Sequence, residues 1–117
     1  MSAARLNLPV IEKGATYRHT LTWADALNVP INLTGCTAKL QVRETIDSAL
    51  ILLELSTANT GLVITPLIGK IDFYISDEIT TTLVGIGGVY DLEIYFANGD
   101  TTRLVEGKIT FKPEVTR

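Results

Sequence analysis

Apolar and polar side chains alternate one for one through most of this chain, and a period of two is the signature of half-buried β-strands, not of helices. In Tyr17-Arg-His-Thr-Leu-Thr-Trp23 the odd positions carry Tyr17, His19, Leu21 and Trp23, while Arg18, Thr20 and Thr22 fall on the other face. Ala38, Leu40 and Val42 oppose Lys39, Gln41 and Arg43, and Ile71, Phe73 and Ile75 oppose Asp72 and Tyr74. Tyr90, Leu92, Ile94 and Phe96 alternate in the same way with Asp91, Glu93 and Tyr95.

Turn signals divide these runs. Asn98-Gly99 predicts a type I′ hairpin turn, after which a return strand starts at Thr101, bends or bulges at Gly107, buries Ile109 and Phe111, and stops at Pro113. Pro66 to Gly69 predicts a second hairpin, between Gly61–Thr65 and Lys70–Ile75. The continuous run Leu50–Ser56 reads as a strand buried on both faces, or one carrying a subunit contact. Helical character is confined to residues 76–83, where Ser76 suits an N-cap and Asp77 and Glu78 suit the positive end of the helix dipole. The pattern predicts an all-β antiparallel sandwich of about 7 to 9 strands with one short helical crossing, as a single domain over residues 1–117 with residues 1–4 frayed.

Composition narrows the function. The 117 residues are 46% hydrophobic, enough for one core, and thirteen acidic residues outnumber ten basic ones for a formal charge of -3. Without a basic cluster, no nucleic-acid partner is expected. No apolar run approaches the roughly 20 residues of a membrane span, and the start lacks a signal-peptide pattern, so neither membrane nor secretion is expected. Asn32-Leu33-Thr34 is then a chance match to a glycosylation acceptor.

Catalytic and metal chemistry find few candidates. One cysteine, Cys36, and one histidine, His19, cannot build a four-ligand zinc site, and Cys36 has no disulfide partner. A nucleophile–base pair would have to unite His19 with Cys36, but His19 lies on the apolar side of its strand and reads as structural. Asp91 and Glu93 share one strand face, a spacing also found on solvated sheets. Gly85-Ile-Gly-Gly88 precedes a strand and lacks the lysine of a phosphate loop. The expectation is no catalytic residue, no metal and no cofactor, with no small-molecule ligand.

Three segments together resemble small tailed-bacteriophage proteins: Pro30-Ile-Asn-Leu-Thr-Gly35 leading into Ala38–Arg43, then Gly88-Val-Tyr-Asp-Leu-Glu-Ile94, then the glycine-centred Leu104–Arg117 ending in Pro-Glu-Val-Thr-Arg. The likeness covers residues 8–117 and is to the N-terminal immunoglobulin-like domain of upper-baseplate proteins. It implies an immunoglobulin-like sandwich and a structural role in the virion, in the tail, baseplate or neck. Other virion subunits and copies of the chain itself would be its partners, with assembly in the bacterial cytoplasm. It also suggests that the Tyr90 hydroxyl bonds back to the helical crossing before it. Leu50, Ile51, Leu62, Leu67 and Ile68 are the apolar residues expected at contacts. Two rival roles are a capsid decoration or head-fibre protein, and a carbohydrate- or receptor-binding module using Trp23, Tyr74 or Tyr95 as stacking surfaces.

Overall fold

The computed structural model describes residues 4–115. Its strands are β1 (Ala4–Arg5), β2 (Ile11–Glu12), β3 (Tyr17–Thr22), β4 (Thr37–Arg43), β5 (Leu53–Ser56), β6 (Leu62–Thr65), β7 (Lys70–Ile75), β8 (Gly87–Tyr95) and β9 (Thr101–Lys112). A 3-10 turn, Pro66–Ile68, joins β6 to β7, and the helix α1 (Asp77–Thr82) joins β7 to β8.

The strands form two sheets. One has the order β1-β9-β8-β4-β5, with β2 also on β9; the other has the order β3-β7-β6. This is the immunoglobulin-like arrangement: β3, β7 and β6 take the places of strands B, E and D, β4, β8 and β9 those of C, F and G, and β5 extends the second sheet beyond C. The alternation explains the packing. Ala38, Leu40 and Val42 of β4, Ile71, Phe73 and Ile75 of β7, Leu92 and Ile94 of β8, and Ile109 and Phe111 of β9 are buried in one core cluster between the sheets. Each Val, Leu, Ile or Phe side chain among them stabilises the fold by about 1.5–3 kcal/mol relative to exposure.

The helical crossing lies where the sequence places it. Ser76 is its N-cap, its side chain accepting a bond from the Ile79 N–H, and Asp77 and Glu78 occupy the first turn. Thr80 is fully buried, its hydroxyl donating to the Ala15 carbonyl and accepting from the Gly14 N–H.

Several local expectations are corrected. The N-terminal strands β1 and β2 run parallel to β9, so the sandwich is not purely antiparallel. Ala4 is not frayed but paired with Val105, and residues 1–3 lie outside the described residues, as do Thr116 and Arg117 of the C-terminal motif. The Asn98-Gly99 turn is not type I′, because only Gly99 has positive φ, at 97°. The Gly99 N–H bonds to the Phe96 carbonyl and the Phe96 N–H to the Asp100 carbonyl, which makes a three-residue loop ending in a left-handed glycine. The bulge of β9 is at Leu104, where the register passes from Leu92↔Val105 to Glu93↔Arg103, and not at Gly107. Gly107 is needed for another reason: a Cβ there would run into the Leu6 carbonyl of the N-terminal segment. The run 50–56 is not buried on both faces, since Leu50 and Ile51 are exposed and only Leu53, Leu55 and Ser56 are buried, on the edge strand β5. Leu62, expected at a contact, is buried in the core.

Candidate functional site

The outer face of the larger sheet carries the charged alternate residues of β4, β8 and β9, which border a shallow cleft of about 450 Å³. Asp91 and Glu93 do share this face, but both are engaged. The Asp91 carboxylate is 3.3 Å from the Arg103 guanidinium, and Glu93 accepts a 3.1 Å bond from the Tyr95 hydroxyl. Burial raises the Asp91 carboxyl above its ordinary value, against the opposing pull of Arg103. Arg103 and Arg5 both reach Glu106, at 3.9 and 3.8 Å. Arg43 donates to Gln41, which donates to Glu54, and also ties down the Ser48 and Ala49 carbonyls of the next loop. The face is a ladder of cross-strand pairs of both signs. Exposed pairs of this kind contribute up to about 1 kcal/mol each.

His19 and Cys36 stand on different elements. The His19 ring meets Phe73 edge-on at 5.6 Å on the smaller sheet. Cys36 precedes β4 and borders a hollow with Leu33, Thr57 and Leu62, where burial pushes its thiol pKa up and so keeps the thiolate disfavoured. Among the described residues no hydrogen bond joins the two side chains. Nor do any three His, Cys, Asp or Glu residues there stand close enough together to hold a metal ion.

The three aromatic candidates do not share a surface. Trp23 is packed against the core and lies edge-on to Phe96 at 6.2 Å. Tyr74 is on the outer face of the smaller sheet, with the Arg18 guanidinium 4.8 Å above its ring. Tyr95 is on the outer face of the other sheet, beside Glu93.

Many of the exposed apolar side chains lie in loops at the two ends of the sandwich. At the end where β4 leaves and β8 enters, Leu50, Leu52, Val84 and Ile86, with Glu44 and Lys108, line a groove of about 550 Å³. Three of them are well exposed, Ile86 at 80%, Leu50 at 66% and Val84 at 60%, while Ile46, also exposed, borders the charged cleft. At the opposite end the Trp23 N–H bonds to the Gly69 carbonyl and the Leu33 N–H to the Pro66 carbonyl, which brings the loops around residues 24–36 and 66–69 together. These loops expose Leu27 at 84% and Leu67 at 75%, with Val29 and Ile68. Of the apolar residues expected at contacts, Leu50, Ile51, Leu67 and Ile68 are exposed. Ile46, Val84, Ile86, Leu27 and Val29 escape the alternation argument, because loop residues have no periodicity to violate. The available signal is apolar residues set in turn-rich sequence, as in Gly85-Ile86-Gly87.

Asn59 is a further residue that the sequence shows only as part of a turn. Its side-chain oxygen accepts from the Ser56 and Gly61 N–H groups, and its amide nitrogen donates to the Glu54 carbonyl. The side chain thereby occupies the free edge of β5.

No described helix is long and apolar enough to cross a membrane. No family model matches the chain, and no curated protein does. Among solved structures, the solution structure of the first immunoglobulin-like domain of human CD48 antigen is similar at a TM-score of 0.36 and 16% identity, covering 98% of this chain and 86% of that one. The fold assignment rests on the strand order itself, and the likeness adds nothing about function.

Proposed function

We propose that this chain is a non-enzymatic structural subunit that acts through contacts with other proteins. The observation that carries the reading is the distribution of surface. Charges of both signs are paired across the strands of the larger sheet, while many of the exposed apolar side chains lie in the loops at the two ends. Exposed apolar groups in contiguous patches favour burial against a partner, whereas singly scattered ones do not. A sandwich with apolar surface at both ends suits a repeated assembly in which neighbours meet end on.

The resemblance of residues 30–43, 88–94 and 104–117 to tailed-phage proteins supports a virion as that assembly, in the tail, baseplate or neck, with other virion subunits and further copies of the chain as neighbours. Immunogold electron microscopy with antibodies against the folded chain tests this. Label on tails, baseplates or necks agrees with the proposal, and label confined to heads moves the subunit to a decoration or head-fibre role. Unlabelled particles, together with a monomeric purified chain, remove it.

A further inference from the structure

The sandwich has several free strand edges, and all but one are short, interrupted by proline or capped by a side chain. On β5 the Asn59 side chain takes up the outward Ser56 N–H and Glu54 carbonyl. The edge strand β6 is four residues long and is followed at once by Pro66. The strands β1 and β2 are two residues each, with Pro9 between them. Short strands, prolines and capped edges are the usual protections against pairing with another chain. In contrast, β3 is six residues long, without proline, glycine or bulge, and among the described residues no strand lies on the side away from β7.

The register shows which backbone groups that edge presents. The Trp23 N–H bonds to the Gly69 carbonyl, in line with the pairs Thr22↔Lys70 through Tyr17↔Ile75. Hydrogen-bonded and non-bonded pairs alternate along an antiparallel ladder, so Tyr17, His19, Leu21 and Trp23 bond to β7. The Tyr74 N–H, which bonds to Gly61 on the far side of β7, agrees with this assignment. Arg18, Thr20 and Thr22 therefore direct their N–H and C=O groups outward, and among the described residues no backbone hydrogen bond meets them. Their side chains do not cover the edge. Arg18 is laid over Tyr74, and the Thr20 hydroxyl donates to Asp72 at 2.6 Å, both toward β7.

We propose that β3 pairs antiparallel with β3 of a second copy of this chain, about a twofold axis at Thr20. The inference deepens the assembly reading above and rests on it. Matching buried to buried faces requires that opposed residues share parity. Among the symmetric registers that place outward groups opposite one another, a centre at His19 engages only Arg18 and Thr20, and a centre at Leu21 only Thr20 and Thr22. A centre at Thr20 sets Thr20 against Thr20 and Arg18 against Thr22 on both sides, which gives three bonded pairs and about six interchain hydrogen bonds. It also brings no like charges face to face, since Arg18, the one residue of β3 that is always charged, meets a threonine. The result is a continuous sheet, β6-β7-β3 joined to β3-β7-β6, formed by the same patch on both copies.

Oxidative cross-linking of the full chain in a Cys36→Ser background tests the register. Opposed Cα atoms in a bonded antiparallel pair lie about 5.5 Å apart, within the roughly 4.4–6.8 Å that a disulfide spans. Thr20→Cys should give a covalent dimer, whereas Arg18→Cys alone and Thr22→Cys alone should not, their symmetry mates standing about 13 Å away along the strand. The Arg18→Cys and Thr22→Cys chains should link when mixed. Independently, Thr20→Lys and Thr20→Glu should each weaken dimerisation by roughly tenfold or more, and an equimolar mixture should restore it. Oligomers that cross-link at none of these positions overturn the β3 pairing and leave the assembly reading intact. A chain monomeric at every concentration also overturns the pairing, and particle labelling then decides the assembly reading separately.

Discussion

The phenol of Tyr90, on β8, donates a hydrogen bond to the backbone carbonyl of Leu6, 84 residues earlier in the chain. The same carbonyl presses on Gly107, where a Cβ would displace it. Tyr17 repeats the device three residues further along the segment, its hydroxyl donating to the Pro9 carbonyl at 3.1 Å. Two buried tyrosines thus fasten the N-terminal segment, whose strands of two residues each could not hold themselves. Tyr90→Phe should lower stability by about 1 kcal/mol while leaving the core intact. Gly107→Ala should cost about 1–3 kcal/mol, because the Leu6 backbone has to move. Amide exchange should quicken in both variants at Leu6 and Leu8, and chemical denaturation gives the free energies.

Both phenols titrate late. Burial pushes the Tyr17 and Tyr90 pKa values from 10.0 up to about 12, and for Tyr90 the nearby Tyr17 adds to the rise. The neutral phenol is favoured by the fold, so this contribution is fully present below pH 10 and is lost as pH climbs from about 10 to about 12. Denaturation curves between these limits should show stability falling, and Tyr90→Phe should make the fall shallower. A wild-type protein equally stable at both ends of the range would contradict the assignment.

Asn59→Ala should cost about 1–3 kcal/mol, since the buried Ser56 N–H loses its partner. Asn59→Asp should fall between the wild type and the alanine variant, because it keeps acceptors for Ser56 and Gly61 but has no donor for the Glu54 carbonyl. Opening the β5 edge should also increase aggregation, which light scattering on heating would record.

Leu50→Asp and Ile86→Asp should each change stability by no more than about 0.5 kcal/mol, as surface substitutions away from special features do. Their effect should appear in incorporation: the double variant should fold yet be depleted from assembled particles. Normal incorporation would show that this end of the sandwich makes no contact.

The elements legible in the sequence are those whose burial follows a period. The strands around Leu40, Phe73, Leu92 and Phe111 and the Ser76 cap declare themselves through alternation and a capping side chain. What stayed hidden depends on long-range geometry. A two-residue strand has no period, so the parallel pairing of Ala4 with Val105 leaves no local trace. An Asn-Gly pair suits several loops, and whether Phe96 bonds to Asp100 depends on how the flanking strands meet. The apolar run from Leu50 to Leu55 cannot show which half is covered, because that depends on where β5 leaves the sheet edge. The surface reading is less legible still. Asn59 and the Arg18–Thr22 edge become visible only when the neighbouring strands, or their absence, are in place.

Quantitative mass spectrometry of gradient-purified phage particles would decide whether the chain is a virion subunit. A structural subunit of the virion should co-purify with the particles at several copies each, in fixed ratio to the tail proteins. Its presence only in the soluble fraction, with none in the particles, would contradict a structural role in the virion.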